Sequence, residues 1–194
     1  MENLRKSKRY LFNRSIVNRF PVLLRTFSLL PASFFIPHSK ASVQQEIDYA
    51  VHANIVYHFT KYINWPEHRK YGDFVIGVVG ESPLYDELKE LVVGKTVGKQ
   101  KIIVTRFSAF QKTYDAHILF IPEDETNNLK KIVNKTLTLP VLIVSEKEGS
   151  PVRGTCINFV IVNSRLSLEI SKKNIQARNL NIASELLALG KIVN

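Results

Sequence analysis

The sequence has 194 residues, of which 45 % are hydrophobic and 10 % aromatic, a balance that excludes a disordered chain and suits one globular domain. Its formal charge is +10. Residues 1–41 contain eight of the 27 basic residues but one of the 17 acidic ones, which leaves 19 basic and 16 acidic residues, or +3, for residues 42–194. A nucleic-acid-binding domain carries its basic patch on the folded part of the chain, so no nucleic-acid partner is expected.

The basic leader, residues 1–41, has the order of a secretory signal peptide. A basic segment is followed by an apolar stretch over residues 27–36 and then by Ser39-Lys40-Ala41, which suits cleavage after the small residue Ala41. The apolar stretch is shorter than the ~20 residues of a membrane-spanning helix. We therefore expect an exported protein without a stable span in residues 42–194; an uncleaved anchor or a disordered basic tail are the alternatives.

Residues 44–63 have the apolar spacing of a helix. One stripe contains Ile47, Val51, Ile55, Phe59 and Tyr62, and the opposite side is also apolar. A helix that is apolar all round is either covered on both sides or offers one side to another molecule. Asp48 and His52, four residues apart, are interpreted as a solvated pair on this helix.

Strands and helices then alternate. Residues 74–79 form a continuous apolar run that predicts a strand buried on both faces, and Ser82 and Pro83 are typical of a helix start. Further strands are predicted at residues 102–104, 116–121 and 141–144, with helices at 83–91 and 124–137. The alternation predicts a single α/β domain with a mostly parallel sheet and flanking helices.

The C-terminal part departs from this alternation. Residues 156–162 and 165–170 flank Asn163 and Ser164, which predicts a tight antiparallel hairpin. A two-residue loop places Phe159 opposite Leu168 on an apolar face, and Asn158 beside Glu169 on the other face. The apolar positions from residue 182 to residue 192 predict a helical tail that closes the domain.

No catalytic, metal-binding or cofactor-binding pattern is found. The Gly94-Lys95-Thr96 triplet follows a helix and lacks the upstream glycine of a phosphate-binding loop, and Gly77 and Gly80 lack the rest of a dinucleotide fingerprint. The histidines have no zinc-ligand spacing, and no serine lies in a G-x-S-x-G pattern. Cys156, the single cysteine, is interpreted as a small buried residue.

Two places are candidates for binding a small molecule. Gly80 and Ser82 follow the first parallel strand, and ligands of open α/β sheets bind at the carboxyl ends of strands. Asn158 and Glu169 form the second candidate, a polar patch on the outer face of the hairpin. An ordinary strand-to-helix turn and a solvent-facing polar pair are the respective alternatives.

Four blocks of the sequence together resemble the YfiR-like family of bacterial periplasmic proteins, over residues 47–193. The first block is residues 52–66 (HANIVYHFTKYINWP), an aromatic helix that ends in a Lys-aromatic-x-x-Trp-Pro pattern. The others are residues 77–80 (GVVG) followed by 94–97 (GKTV), residues 157–160 (INFV) with 168–170 (LEI), and residues 182–187 (IASELL). Their order and spacing, more than any one block, carry the resemblance.

The resemblance implies an α/β fold without catalytic residues and a role in signalling. The best-studied type represses an inner-membrane diguanylate cyclase by binding its periplasmic sensor region, which lowers cyclic-di-GMP output and restrains biofilm formation. Relatives occur beside, or fused to, membrane sensor histidine kinases. Members with paired cysteines can use disulfides, whereas Cys156 alone cannot.

The predicted function is therefore a non-catalytic periplasmic regulator that binds the periplasmic part of an inner-membrane signalling enzyme. Tyr49, Tyr57, Tyr62 and Trp65 are the predicted partner contacts, because Tyr and Trp dominate interface hot spots. Packing of this face on the terminal helix and homodimerisation through it are alternatives. A periplasmic small-molecule sensor is the second functional hypothesis.

Overall fold

The computed structural model describes residues 47–193. The predicted signal peptide, residues 1–41, and its cleavage after Ala41 lie outside the described residues. Five α-helices occur in the described part: α1 (Tyr49–Tyr62), α2 (Leu84–Leu91), α3 (Leu129–Lys135), α4 (Lys172–Gln176) and α5 (Ser184–Ala188). The strands are β1 (Ile63–Asn64), β2 (Phe74–Val79), β3 (Thr96–Val97), β4 (Gln100–Phe107), β5 (Ile118–Ile121), β6 (Leu142–Ser145), β7 (Ile157–Val162), β8 (Arg165–Ile170), β9 (Asn181–Ile182) and β10 (Lys191–Ile192).

An eight-stranded sheet, the largest in the described part of the chain, has the order β10-β8-β7-β6-β5-β2-β4-β3. Strands β4, β2, β5, β6 and β7 are parallel, as the alternation of elements predicts. From β2 the chain crosses to β4 on one side, and from β5 it crosses to β6 on the other. Because such crossovers are right-handed, α2 and α3 lie on opposite faces of the sheet. The single α/β domain with a mostly parallel sheet is confirmed.

The C-terminal hairpin has the predicted register. Phe159 pairs with Leu168 and Asn158 with Glu169 in antiparallel strands β7 and β8. Asn163 and Ser164 at the turn have φ values of 50° and 58°, the left-handed conformation of both central residues in a type I′ turn. This turn matches the twist of the flanking strands, so a two-residue loop fixes the pairing of both strands.

The buried side of α1 differs from the predicted stripe. The helix begins at Tyr49, where the Asp48 carboxylate accepts hydrogen bonds from two backbone N–H groups of the first turn. Its core face consists of His52, Ala53, Val56 and Phe59, whereas Val51 is 43 % exposed. The sequence left open which side of this helix is buried, because both sides are apolar and the periodicity does not indicate which side the sheet covers.

The prediction of a helical tail over residues 182–192 is wrong. The chain after the hairpin breaks into α4, β9, α5 and β10, each of two to five residues. Strand β9 pairs with β1, since Ile182 lies opposite Ile63, and β10 pairs with β8. Strands that are distant in the sequence supply hydrogen-bond partners for this part of the backbone in place of those within a helix. The local spacing of apolar residues does not reveal such distant partners.

Candidate partner-binding and ligand-binding surfaces

Trp65 lies in the core, not on a surface open to a partner. It is 5 % exposed, its indole N–H donates to the backbone carbonyl of His117 at 3.2 Å, and its ring meets Phe74 edge-on at 4.9 Å. The Phe74 ring in turn stacks on His117 with 4.4 Å between centroids. Trp65 was predicted as a partner contact from its residue type, because Tyr and Trp dominate interface hot spots, whereas the structure buries its indole.

His117 completes this group, which we call the Trp65 cluster (Trp65, Phe74 and His117). Its Nδ1 accepts a hydrogen bond from Val75 N–H at 3.0 Å, so its Nε2 carries the proton and donates to the Arg69 carbonyl at 2.8 Å. Burial lowers the pKa of His117, which keeps the ring neutral. Every polar group of the cluster therefore has a partner inside the protein, and its role is structural.

Tyr57 lies half-buried on the side of α1 that faces away from α5. The Lys95 ammonium is 4.8 Å from the centre of its ring, and the Lys61 ammonium is 5.6 Å from it. These distances allow cation–π attraction, which holds two cations around the tyrosine. A partner that contacts Tyr57 therefore meets positive charge as well as an aromatic ring.

Tyr62 lies in an apolar groove between α1, β8 and α5, with a volume of about 390 Å³. The apolar groove is lined by Asn54, Ile55, His58, Phe59, Tyr62, Leu166, Ser167, Leu168, Leu186 and Leu189. Leu189 at its rim is 66 % exposed, and Ile161, which pairs with Leu166 across the hairpin, is 51 % exposed. None of the lining side chains carries a carboxylate, a lysine or an arginine, as in the uncharged centre of a protein interface.

Tyr49 lies at the other end of α1, above the carboxyl ends of the central strands. Its hydroxyl donates to Glu146 Oε1 at 3.2 Å, and the backbone N–H of Glu123 donates to the same oxygen at 3.1 Å. Burial and the neighbouring Glu146 charge raise the pKa of Tyr49 to about 12. Burial also raises the pKa of Glu146, and the Glu123 and Asp124 carboxylates act in the same direction.

Gly80 and Ser82 lie beside this group, where the strand order reverses between β2 and β5. Gly80 has a φ of +67°, and a Cβ there would lie 2.4 Å from Glu125 Oε1, so the turn requires glycine. Ser82 is buried, and its hydroxyl accepts a hydrogen bond from Leu84 N–H at 3.3 Å. The structure thus brings Tyr49 close to Ser82, two residues that the sequence placed in different predicted sites.

Asn158 is fully buried, so the predicted polar patch on the outer face of the hairpin is wrong for this residue. Its Oδ1 accepts from the Ser145 hydroxyl at 2.8 Å, and its Nδ2 donates to Glu169 Oε2 at 3.2 Å. Strand β7 lies inside the sheet between β6 and β8, so the Ser145 side chain of β6 lies beside Asn158 and bonds to it. Glu169 is the half-exposed end of this row of hydrogen bonds.

The half-exposed Glu169 faces a cavity of about 590 Å³ that Glu123, Glu146 and Glu148 also line, together with Lys147 and Lys191. Sequence reasoning missed Glu123 and Glu146, although both follow the carboxyl ends of parallel strands, β5 and β6. The rule that ligands bind at the carboxyl ends of strands, which indicated Gly80, would also have indicated Glu123 and Glu146. His52 also lines this cavity; it is buried against Phe159 with 4.4 Å between ring centres, so it is not a solvated partner of Asp48.

Two further features concern metals and membranes. Among residues 47–193, no group of three or more His, Cys, Asp or Glu side chains is placed to hold a metal ion. In the same range no helix is both long and apolar enough to cross a bilayer. Cys156 is buried directly before β7, as predicted, and burial raises the pKa of its thiol.

These features define an α/β domain with an apolar groove on one side of α1 and an acidic cavity at the carboxyl edge of its sheet. The chain belongs to the YfiR/HmsC-like family, whose model matches residues 49–191, from α1 to β10. Proteins of this family are periplasmic regulators of cyclic-di-GMP signalling. No curated protein matches the chain.

Proposed function

We propose that this protein is a non-catalytic periplasmic regulator that binds the periplasmic part of an inner-membrane diguanylate cyclase or sensor histidine kinase. Membership of the YfiR/HmsC-like family supports the regulatory role. The observation that supports a binding function most directly is the apolar groove between α1, β8 and α5. Contiguous apolar surface of this kind is typical of protein-interaction sites.

The groove fits an apolar segment of a partner better than a charged one. Its walls include the apolar Ile55, Leu166, Leu168 and Leu186, and its polar lining side chains, such as Asn54 and Ser167, are uncharged. Tyr62 supplies an aromatic ring with a hydroxyl at the same wall. A helix or loop of the sensor region that inserts two or three apolar side chains would bury Leu189 and Tyr62, and these become the central contacts of the proposed complex.

The test is capture of a signalling enzyme by the full chain, expressed with a C-terminal tag in cells and cross-linked before membrane extraction. We expect a diguanylate cyclase or histidine kinase with a periplasmic region, identified by mass spectrometry, to bind the wild type. Leu189→Glu places a charge in the groove and is expected to abolish capture. Leu137→Glu is the matched control, because Leu137 is also an exposed leucine, at 56 %, and lines no part of the groove.

Each outcome has a definite consequence. Equal loss of capture in both variants would mean that added negative charge, not the groove, weakens the complex. Retention of the enzyme by Leu189→Glu would refute the groove as the binding surface. Capture of no signalling enzyme by the wild type would favour the small-molecule sensor, and capture of only a second copy of the chain would favour a homodimer.

A further inference from the structure

A third cavity, which shares Tyr62 with the groove and no lining residue with the acidic cavity, lies at the amino ends of the central strands. It has a volume of about 610 Å³, within the ~300–1,000 Å³ of small-molecule sites. Its walls come from the end of α1 with β1, from β9, and from the turn between β3 and β4. We call it the lysine-lined cavity; its lining residues are Thr60, Lys61, Tyr62, Ile63, Asn64, Trp65, Lys70, Phe74, Val97, Gly98, Lys99, Gln100, Asn181, Ile182 and Ala183.

The charge of this cavity has one sign. Lys61, Lys70 and Lys99 line it, and no aspartate or glutamate does. Lys70 is paired with Glu67 at 2.6 Å, whereas Lys61 and Lys99 form no ion pair with any residue in the described part of the chain. Lys61, whose ammonium also lies 5.6 Å from the centre of the Tyr57 ring, and Lys99 therefore have no carboxylate that competes with an anion entering the cavity, and a cation would be repelled.

The remaining walls are apolar or carry neutral amides. The half-buried side chains of Tyr62, Val97 and Ile182 supply its apolar surface, and the edge of the buried Trp65 lies behind them. Asn64 and Asn181 are exposed amides at the rim, on the paired strands β1 and β9. This combination suits a ligand with a flat or compact apolar body that carries its negative charge at one end.

We propose that the lysine-lined cavity binds a small organic anion, a carboxylate or phosphate ester with an apolar body and no positively charged group. The absence of a carboxylate among the lining residues discriminates against amines and zwitterions, since their ammonium groups would have no counter-charge there. Lys61 and Lys99 supply the charge-assisted hydrogen bonds, and Tyr62, Val97 and Ile182 supply the contact with the body of the ligand.

Trp65 gives a direct test, because it is the single tryptophan of the chain and lines the cavity. Its fluorescence is followed in the purified full chain during titration with phenylacetate, phenyl phosphate, 2-phenylethanol or phenethylamine. We expect a saturable change with at least one of the two anions and none with the neutral alcohol or the cation. The ratio of the two anion affinities distinguishes a carboxylate site from a phosphate ester site.

Three variants distinguish anion binding in the cavity from anion binding elsewhere on the protein. Lys61→Gln with Lys99→Gln is expected to weaken anion binding by about tenfold or more, given ~1.5–3 kcal/mol for a charge-assisted hydrogen bond. Lys130→Gln with Lys173→Gln removes the same charge from exposed lysines outside the cavity and is expected to change the affinity little. Leu189→Glu is expected to leave it unchanged, which separates this proposal from the groove.

The proposal is overturned if neither anion gives a saturable change, or if the alcohol binds as tightly as the anions. It is also overturned if the Lys61/Lys99 double variant, with an unchanged unfolding midpoint, keeps wild-type affinity. Equal loss in the Lys130/Lys173 control would show that binding follows net charge and not the cavity. Failure to capture a membrane enzyme has no bearing on these outcomes.

Discussion

The Trp65 cluster and the apolar groove lie at the same end of α1 and contain aromatic residues three positions apart, yet they differ in every physical respect. Trp65 is buried, and the indole N–H and both ring nitrogens of His117 are bonded within the protein. Tyr62 is half-buried, and its groove has an open rim with the exposed Leu189. The comparison teaches that an aromatic residue near a helix end contributes to stability or to binding according to what covers it.

Replacement of Trp65 gives the largest expected effect. Trp65→Ala removes a buried indole that contacts Phe74 and donates to a buried carbonyl, so it is expected to lower the free energy of unfolding by about 3–5 kcal/mol. Tyr62→Ala is the matched change in the groove. It is expected to lower the free energy of unfolding by clearly less, because the Tyr62 side chain is half-buried. Urea unfolding of both variants measures the difference. Equal losses would remove the distinction between the two regions.

A smaller effect concerns the pH dependence of the Trp65 cluster. Because burial lowers the pKa of His117 in the folded protein, the unfolded chain binds a proton at this site at higher pH than the folded chain does. The free energy of unfolding therefore falls as the pH decreases through the unfolded pKa of ~6.5, by at most about 1.4 kcal/mol per pH unit. The loss ends below the lowered folded pKa, where both states are protonated.

His117→Asn removes this titration while leaving an amide that can accept from Val75 N–H. The variant is expected to be less stable at neutral pH and to lose less stability than the wild type between about pH 7.5 and about pH 5.5. His52, whose pKa is also lowered by burial, and Glu146, whose pKa is raised, titrate in both proteins. Their contributions cancel in the comparison, so parallel pH profiles of the unfolding midpoint would contradict the assignment.

The smallest stability effect is expected at the rim of the groove. Leu189→Glu changes an exposed side chain, so the free energy of unfolding is expected to stay within about 0.5 kcal/mol of the wild-type value. Chemical denaturation measures it alongside the capture experiment. A much larger loss would mean that Leu189 is part of the core, and loss of capture by this variant would then report unfolding.

The predicted sheet centre and hairpin agree with the structure because their signals are local. The run Phe74–Val79 contains no polar residue, so the sequence alone predicts a strand that is buried on both faces. A two-residue turn at Asn163 and Ser164 allows one register for the hairpin. Helix α1 is different. Its apolar residues surround it, so the sequence predicts a helix but not the burial of His52 and Val56 or the exposure of Val51.

The candidate sites were predictable only in part. Gly80 and Ser82 follow from the rule that ligand sites lie at strand ends, and the same rule reaches Glu146. The burial of Asn158 could not be predicted, because the hairpin register places it beside Glu169 but does not show that β6 lies along the other edge of β7 with Ser145 against it. The lysine-lined cavity joins Lys61, Lys99 and Asn181, which are far apart in the sequence.

The sequence by itself determined the class of fold, the hairpin register and the family resemblance, because alternation, turn residues and motif order are properties of neighbouring positions. Only the tertiary structure decided that Trp65 is enclosed, that Tyr62 borders a groove and that two unpaired lysines share a cavity. These outcomes depend on which distant segment covers each side chain. The pairing of β1 with β9 shows the reason most directly, since two residues after α1 find their partners more than a hundred positions later.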